Sequence, residues 1–353
     1  KKDDVLIRAS AYYMNNREIF VNFINSLFQP YREELMDESQ EVSCESKEDK
    51  DFSLLTHQKI VRDYLNLFTP YRGLLLYHGL GSGKTCSSIA IAEGMKTSKK
   101  VVIMTPASLR RNYIEELKKC GDAMYKKNQF WEYINTSKNK QMVEPLSKAL
   151  GLSTEYIESN GGAWLVNVKK KPNYETLSSG DKSNLEKQLN EMIRNKYQFI
   201  NYNGLRSSHL DSLSKDGQSN PFDNSVVIID EAHNFISRIV NKINKPESLS
   251  MRLYEFLLAA EDCRVILLTG TPIINYPNEI GILFNILRGY IKTWHLPLAV
   301  KTQGKVNIDT IQKMFPEEVR SLIDFVDYRA SSKMLIATRD ASKAQLNEQI
   351  YNF

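Results

Sequence analysis

Apolar residues along this chain fall into two rhythms. Short unbroken runs at Gly73–Tyr77 (GLLLY), Val101–Pro106 (VVIMTP), Tyr197–Tyr202 (YQFINY), Val226–Ile229 and Arg264–Leu268 read as strands. Between them apolar positions recur at helical spacing. Ile60, Val61, Tyr64, Leu65 and Phe68 precede the first strand, and Ile89, Ile91, Ala92 and Met95 follow it. Leu109, Tyr113, Ile114 and Leu117 follow the second, and Phe235, Ile236, Ile239, Val240 and Ile243 the fourth. Further helices are expected over Leu249–Ala260 and Ile280–Leu287. Strands that are apolar throughout predict a parallel sheet covered on both faces, joined by right-handed crossovers. The expected class is α/β.

The same pattern divides the chain. In residues 1–30, Ile19, Phe20, Phe23, Ile24, Leu27 and Phe28 form one broad stripe on a helix expected to end at Pro30. Residues 31–53 are acidic and without apolar period, and read as a linker. The main domain is expected over 54–287, interrupted by an irregular insertion over about 121–196. There Lys126-Lys127 and Lys169–Lys171 lie beside Tyr125, Phe130, Trp131 and Tyr133. Basic and aromatic residues so interleaved can hold single strands by charge and stacking. A solvated insertion with its own small core is the preferred reading. Residues 288–353 mix short helices with a strand at Met334–Ala337 and read as a C-terminal extension.

Composition narrows this little. Charged residues make up 25% and hydrophobic ones 42%, and no apolar run approaches the roughly 20 residues of a membrane helix. No secretory signal is visible in KKDDVLIRAS. A net charge of +5 permits nucleic-acid binding without requiring it. Cys44, Cys86, Cys120 and Cys263 lack metal-type spacing and are expected as reduced thiols in an intracellular protein without structural zinc.

The chemistry concentrates where strands end. After Gly73–Tyr77 comes His78-Gly79-Leu80-Gly81-Ser82-Gly83-Lys84-Thr85. Its glycines let a loop wrap closely enough to aim N–H groups at phosphate oxygens, and a helix N-terminus follows. Gly79, Gly81, Ser82, Gly83, Lys84 and Thr85 are the candidate nucleotide-binding residues, Lys84 reaching phosphates and Thr85 ligating Mg²⁺. His78 stands where the strict pattern has glycine, which points away from kinases and towards the helicase-type loop. Gln58, upstream of the loop, is placed to read an adenine edge.

Val226–Ile229 runs directly into Asp230-Glu231-Ala232-His233. Carboxylates at the C-terminal end of a parallel strand sit where such sheets bind ligands. Asp230 is the candidate Mg²⁺ residue, directly or through water, and Glu231 the candidate base for the attacking water. Lys84 and His233 complete the catalytic set. Thr269 and Thr271, in Thr-Gly-Thr-Pro, lie on a neighbouring strand end within expected reach of His233 for a hydrogen-bonded link.

These motifs together resemble the first RecA-like domain of a superfamily 2 helicase or translocase. Gln58 matches the glutamine motif, GLGSGKT motif I, Thr105-Pro106 motif Ia, Asp230–His233 motif II and Thr269–Pro272 motif III. LTHQKIVRDYL, TPYRGLLLYHGLGSGKTCSSIAIAEGM and LLTGTPIINYPNEIGILFNIL further resemble helicase-like ATPases of nucleocytoplasmic large DNA viruses, of the poxvirus nucleoside triphosphatase I and early transcription factor small subunit type. The resemblance implies a RecA-like P-loop fold, ATP and Mg²⁺ as cofactors, and ATP hydrolysis driven by nucleic acid, with DNA expected. It implies nucleic-acid contacts near Thr105, Pro106, Arg110, Arg111 and Asn203.

The resemblance also implies partners: a second RecA-like domain in cis, and viral RNA polymerase or other transcription factors in the host cytoplasm or virion. No Gln-x-x-Gly-Arg-x-x-Arg motif is found, and 81 residues follow Pro272, so the chain by itself is expected to be incomplete for hydrolysis. Two other readings stay open. One is a docking or assembly subunit with little turnover; the other is the motor of a restriction or chromatin-remodelling complex.

Overall fold

The computed structural model describes residues 17–36, 54–66, 71–79, 81–137, 139–298, 307–320, 323, 325–329 and 331–340. In chain order its strands are β1 (Gly73–Tyr77), β2 (Lys100–Thr105), β3 (Trp131–Asn135), β4 (Gly162–Val166), β5 (Tyr197–Asn201), β6 (Ser225–Ile229), β7 (Arg264–Thr269), β8 (Ile291–Pro297), β9 (Phe325–Arg329) and β10 (Met334–Asp340). Its helices are α1 (Arg17–Met36), α2 (Thr56–Tyr64), α3 (Lys84–Met95), α4 (Arg110–Cys120), α5 (Val143–Leu150), α6 (Thr154–Ser159), α7 (Ser179–Lys196), α8 (Ser207–Leu213), α9 (Ala232–Val240), α10 (Leu249–Ala259), α11 (Asn278–Arg288), α12 (Ile308–Met314) and α13 (Glu317–Arg320).

Five strands form one sheet in the order β1-β7-β6-β2-β5, with every pairing parallel. Alternate residues of each central strand enter opposite cores. Val101, Ile103, Val226, Ile228, Ile266 and Leu268 face one layer, built from α3, α4 and α7. Val102, Met104, Val227, Ile229, Val265 and Leu267 face the other, built from α9, α10 and α11. This double burial explains the unbroken apolar runs, since each such side chain gains roughly 1.5–3 kcal/mol on leaving water.

Three expectations change at the margins. The N-terminal helix runs through Pro30 to Met36, because a proline removes one N–H and bends a helix without obliging it to stop. The remainder of the acidic linker, residues 37–53, lies outside the described residues, as does Phe68. The insertion is regular rather than irregular: β3 and β4 form an antiparallel pair, followed by α7. Its Trp131, Trp164, Leu185 and Leu189 join the main core instead of forming a separate one. Several of its basic residues are spent internally, Lys127 on Glu186 and Lys170 on Glu132. Residues 288–353 contain a three-stranded antiparallel sheet, β8-β10-β9, with a small core of Ile311, Ile323, Val326, Leu335 and Ala337.

Among the described residues, no helix is long and apolar enough to cross a membrane.

Candidate functional site

Strand order brings the motifs together. β7 lies between β1 and β6, so Thr-Gly-Thr-Pro emerges between the glycine-rich loop and Asp230-Glu231. Register fixes their levels: Tyr77 pairs with Thr269 and Ile229 with Leu267, which carries Glu231 to the height of Thr269.

Gly81 and Gly83 have φ of 78° and 75°, a region that favours glycine, and Gly83 caps α3. The loop is braced from several sides. Ser82 Oγ donates to Gly79 O at 2.8 Å, and the Lys84 ammonium donates to His78 O and Gly79 O at 2.8 and 2.9 Å. His57 Nε2 lies 3.1 Å from Ser82 O. Gln58 is only 3% exposed; its Nε2 donates to Gly83 O at 3.2 Å and its Oε1 accepts from Leu55 N at 3.0 Å. Both ends of the amide expected to read adenine are thus engaged within the chain, where they hold the loop from behind.

Asp230 extends the β6 ladder by donating its N–H to Met104 O at 2.9 Å. Glu231 takes the left-handed conformation, φ 48° and ψ 50°, at the start of α9. A non-glycine residue held so is strained by on the order of 1–3 kcal/mol. Tyr202, which the sequence pattern does not single out, fixes this corner by donating from its hydroxyl to Asp230 O and Glu231 O at 3.0 and 3.2 Å.

From there a polar chain runs to β7. His233 Nε2 lies 3.4 Å from Glu231 Oε2, and His233 Nδ1 lies 2.8 Å from Thr269 Oγ1 and 3.4 Å from Thr271 Oγ1. Thr271 N donates to Thr269 Oγ1 at 3.0 Å. The contacts are satisfied when the Thr269 hydroxyl donates to Nδ1 and Nε2 carries the proton facing Glu231. The next turn is clamped by Glu279, also unmarked in the sequence, which accepts from Ile274 N and Asn275 N at 2.8 and 3.2 Å. Asn275 in turn donates to Ser237 Oγ of α9 at 2.8 Å.

These elements enclose a cavity of about 410 Å³ lined by Gly81, Gly83, Lys84, Thr85, Cys86, Leu109, Asn112, Tyr113, Glu116, Asp230 and Glu231. One ammonium, a threonine hydroxyl and two strand-end carboxylates around a glycine loop are a donor set that fits a Mg²⁺–nucleotide. Burial, and then repulsion from Glu231, push the Asp230 carboxyl up from 3.8 to about 6. The fold therefore binds this proton more tightly than the unfolded chain does. Its stabilising contribution is full below 3.8 and is lost as pH rises through about 6. The metal-free protein should consequently lose stability to urea across that window, and Asp230→Asn should flatten the loss.

The nucleic-acid candidates at the same edge divide. Thr105 and Pro106 are buried, and the Thr105 hydroxyl donates to Pro106 O at 3.0 Å, so neither side chain faces solvent. Thr105 closes β2 and Pro106 directly follows it. Asn203 and Arg111 are exposed, and the Arg110 guanidinium lies over the Phe199 ring at 5.1 Å.

One expectation about thiols is overturned. Cys86 and Cys120 are joined by a disulfide, with Cα atoms 5.6 Å apart across α3 and α4. Their sequence separation of 34 conceals a proximity that helix packing creates. Cys263 is free and buried. Cys44 lies outside the described residues.

Comparison with known proteins agrees with this geometry. The family described as Type III restriction enzyme, res subunit, matches residues 51–274. A protein named as an ATP-dependent RNA helicase of Acanthamoeba polyphaga mimivirus is 31% identical over 65% of this chain and 32% of its own length. A named helicase of Invertebrate iridescent virus 3 is 27% identical over 80% of this chain and 24% of its own length. A homologue of termination factor NPH-I from African swine fever virus is 22% identical, covering 78% of this chain and 34% of that protein. The chain spans about a third or less of the length of these relatives. With the family match, the parallel sheet order, the glycine loop and Asp-Glu-Ala-His on one sheet edge, the chain belongs to the Type III restriction enzyme res subunit family, with the architecture of a first RecA-like domain of superfamily 2.

Proposed function

We propose that this chain is the ATP-binding half of a nucleic-acid-dependent motor, acting on DNA in the transcription or genome handling of a large DNA virus. The observation that carries it is the convergence of Lys84, Thr85, Asp230 and Glu231 on one cavity beside the His233–Thr269 link. In this reading, N–H groups of the loop from Gly79 to Gly83 and the Lys84 ammonium bind phosphates, while Thr85 and Asp230 hold Mg²⁺. Mg²⁺ supplies charge neutralisation at the phosphates. Glu231 orients and deprotonates water, and Gln58 acts on the nucleotide through Gly83. His233, Thr269 and Thr271 pass the state of Glu231 to the loop that Glu279 clamps.

Nucleic acid is expected along the edge formed by Asn203, Arg110 and Arg111, where phosphate contacts would make binding fall steeply with salt. The viral relatives support a setting in the host cytoplasm or the virion, with viral RNA polymerase or transcription factors as partners. A docking role with little turnover has one observation in its favour. Ile273, Ile274, Tyr276, Ile280 and Phe284 leave large apolar side chains exposed around the start of α11.

The test is phosphate release by the full-length protein with and without DNA or RNA. Stimulation by DNA supports the motor, and unstimulated background supports docking. Lys84→Ala should abolish most Mg-ATP affinity in titration while leaving the melting temperature unchanged, because the ammonium donates to the His78 and Gly79 carbonyls, which water can serve in its place. Parental affinity in that variant would remove Lys84 from the site.

A further inference from the structure

We propose that Cys86, Cys120 and Glu116 form, once their disulfide is reduced, a binding site for a thiophilic divalent cation such as Zn²⁺. The three donor atoms, two sulphurs and a carboxylate oxygen, all lie within 4.8 Å of one another. Glu116 and Cys120 stand one turn apart on α4, which puts both on one face, and Cys86 approaches from the first turn of α3. Cys86 Sγ is 3.6 Å from Glu116 Oε2, while the other carboxylate oxygen accepts from Lys119 Nζ at 2.8 Å and is thereby oriented.

Two thiolates, one carboxylate and a water complete the tetrahedral coordination that Zn²⁺ prefers. The α3 N-terminus favours negative charge on the Cys86 sulphur. Cys86 and Glu116 also line the nucleotide cavity, which gives a cation an entry path.

The chemistry balances with a dithiol reductant. Its two sulphurs join and surrender two electrons and two protons, and the Cys86–Cys120 bond opens to two thiols. Those thiols release their protons as they ligate the cation. Since Cys86 directly follows Thr85, this site touches the nucleotide loop without sharing a ligand with it.

Co²⁺ serves as a spectroscopic probe, because only sulphur ligation gives thiolate-to-cobalt charge transfer. The full chain is titrated with Co²⁺ alone in three states: oxidised, reduced with a phosphine that is then removed, and reduced then alkylated. One equivalent with a charge-transfer band and tetrahedral d–d bands is expected in the reduced state only, displaced by Zn²⁺. Cys120→Ser should abolish the band. Glu116→Gln should weaken binding by more than the about 10- to 100-fold that loss of an outer-shell partner costs. Asp230→Asn should leave it intact, separating this site from the Mg²⁺ site. No thiolate band in the reduced protein, or a band that survives alkylation or Cys120→Ser, would overturn the proposal and leave the pair as a structural disulfide.

Discussion

Glu231→Gln should bind Mg-ATP almost as the parent does and hydrolyse it about 10² to 10⁴ times more slowly, the usual worth of a positioned general base. The amide keeps the shape of the side chain but cannot accept the proton of the attacking water. Geometry favours this split between binding and turnover. The Glu231 backbone is fixed by Tyr202 and its conformation by the start of α9, so the substitution leaves the loop and Lys84 undisturbed. Single-turnover hydrolysis beside equilibrium titration separates the two effects. Equal loss of affinity and rate would assign Glu231 to metal binding instead. Parental turnover would move the base elsewhere.

On the proposed function, residues 1–353 assayed without any added domain should release phosphate about 10³ to 10⁵ times more slowly than the full-length protein does. That is the contribution of an arginine that meets charge developing on the γ-phosphate. Among the described residues lining the cavity, Lys84 is the cation and no arginine is present. On the proposed function such arginines come from a second RecA-like domain, and nucleotide bound without that domain is more open to water and held more weakly. Steady-state release by the shorter chain, with and without DNA, compared with the full-length protein, measures this. Full turnover by the shorter chain would mean that an arginine of this chain, or of a second copy, completes the site.

How much of the fold and the site is legible in the sequence follows from distance along the chain. Gly79–Thr85 and Asp230–His233 are contiguous, so their residue types and order already specify a glycine-rich loop ahead of a helix and a strand-end carboxylate pair. The parallel sheet is equally legible, because burial on both faces leaves strands apolar at every position. Register is not. That β7 lies between β1 and β6, bringing Thr269 within 2.8 Å of His233, depends on which strands pair, and periodicity does not encode it.

The departures from the sequence pattern share that cause. Pro30 has the character of a helix stop, yet one lost N–H does not outweigh continuation of α1. Residues 121–196 read as irregular because β3 mixes buried with exposed positions, where β6 is buried throughout, and because the core partners of β3 and β4 are remote in sequence. Gln188 illustrates the difficulty: its amide satisfies both N and O of Trp164, a strand-like pairing made by a helix side chain. Tyr202 and Glu279 are ordinary residues by pattern, and only their hydrogen bonds to motif backbones mark them.

By itself, then, the sequence determined the five strands of the central sheet, their two-faced burial and the residue types that stand at individual strand ends, since each follows from short-range spacing and composition. Tertiary structure alone decided the inward-turned Thr105, the Gln58 brace behind Gly83 and the Cys86–Cys120–Glu116 cluster, and it supplied the strand pairing that closes the His233–Thr269 link expected from the motifs. The physical reason is that a side chain's period states which face is buried, whereas its partner is chosen by how distant elements pack.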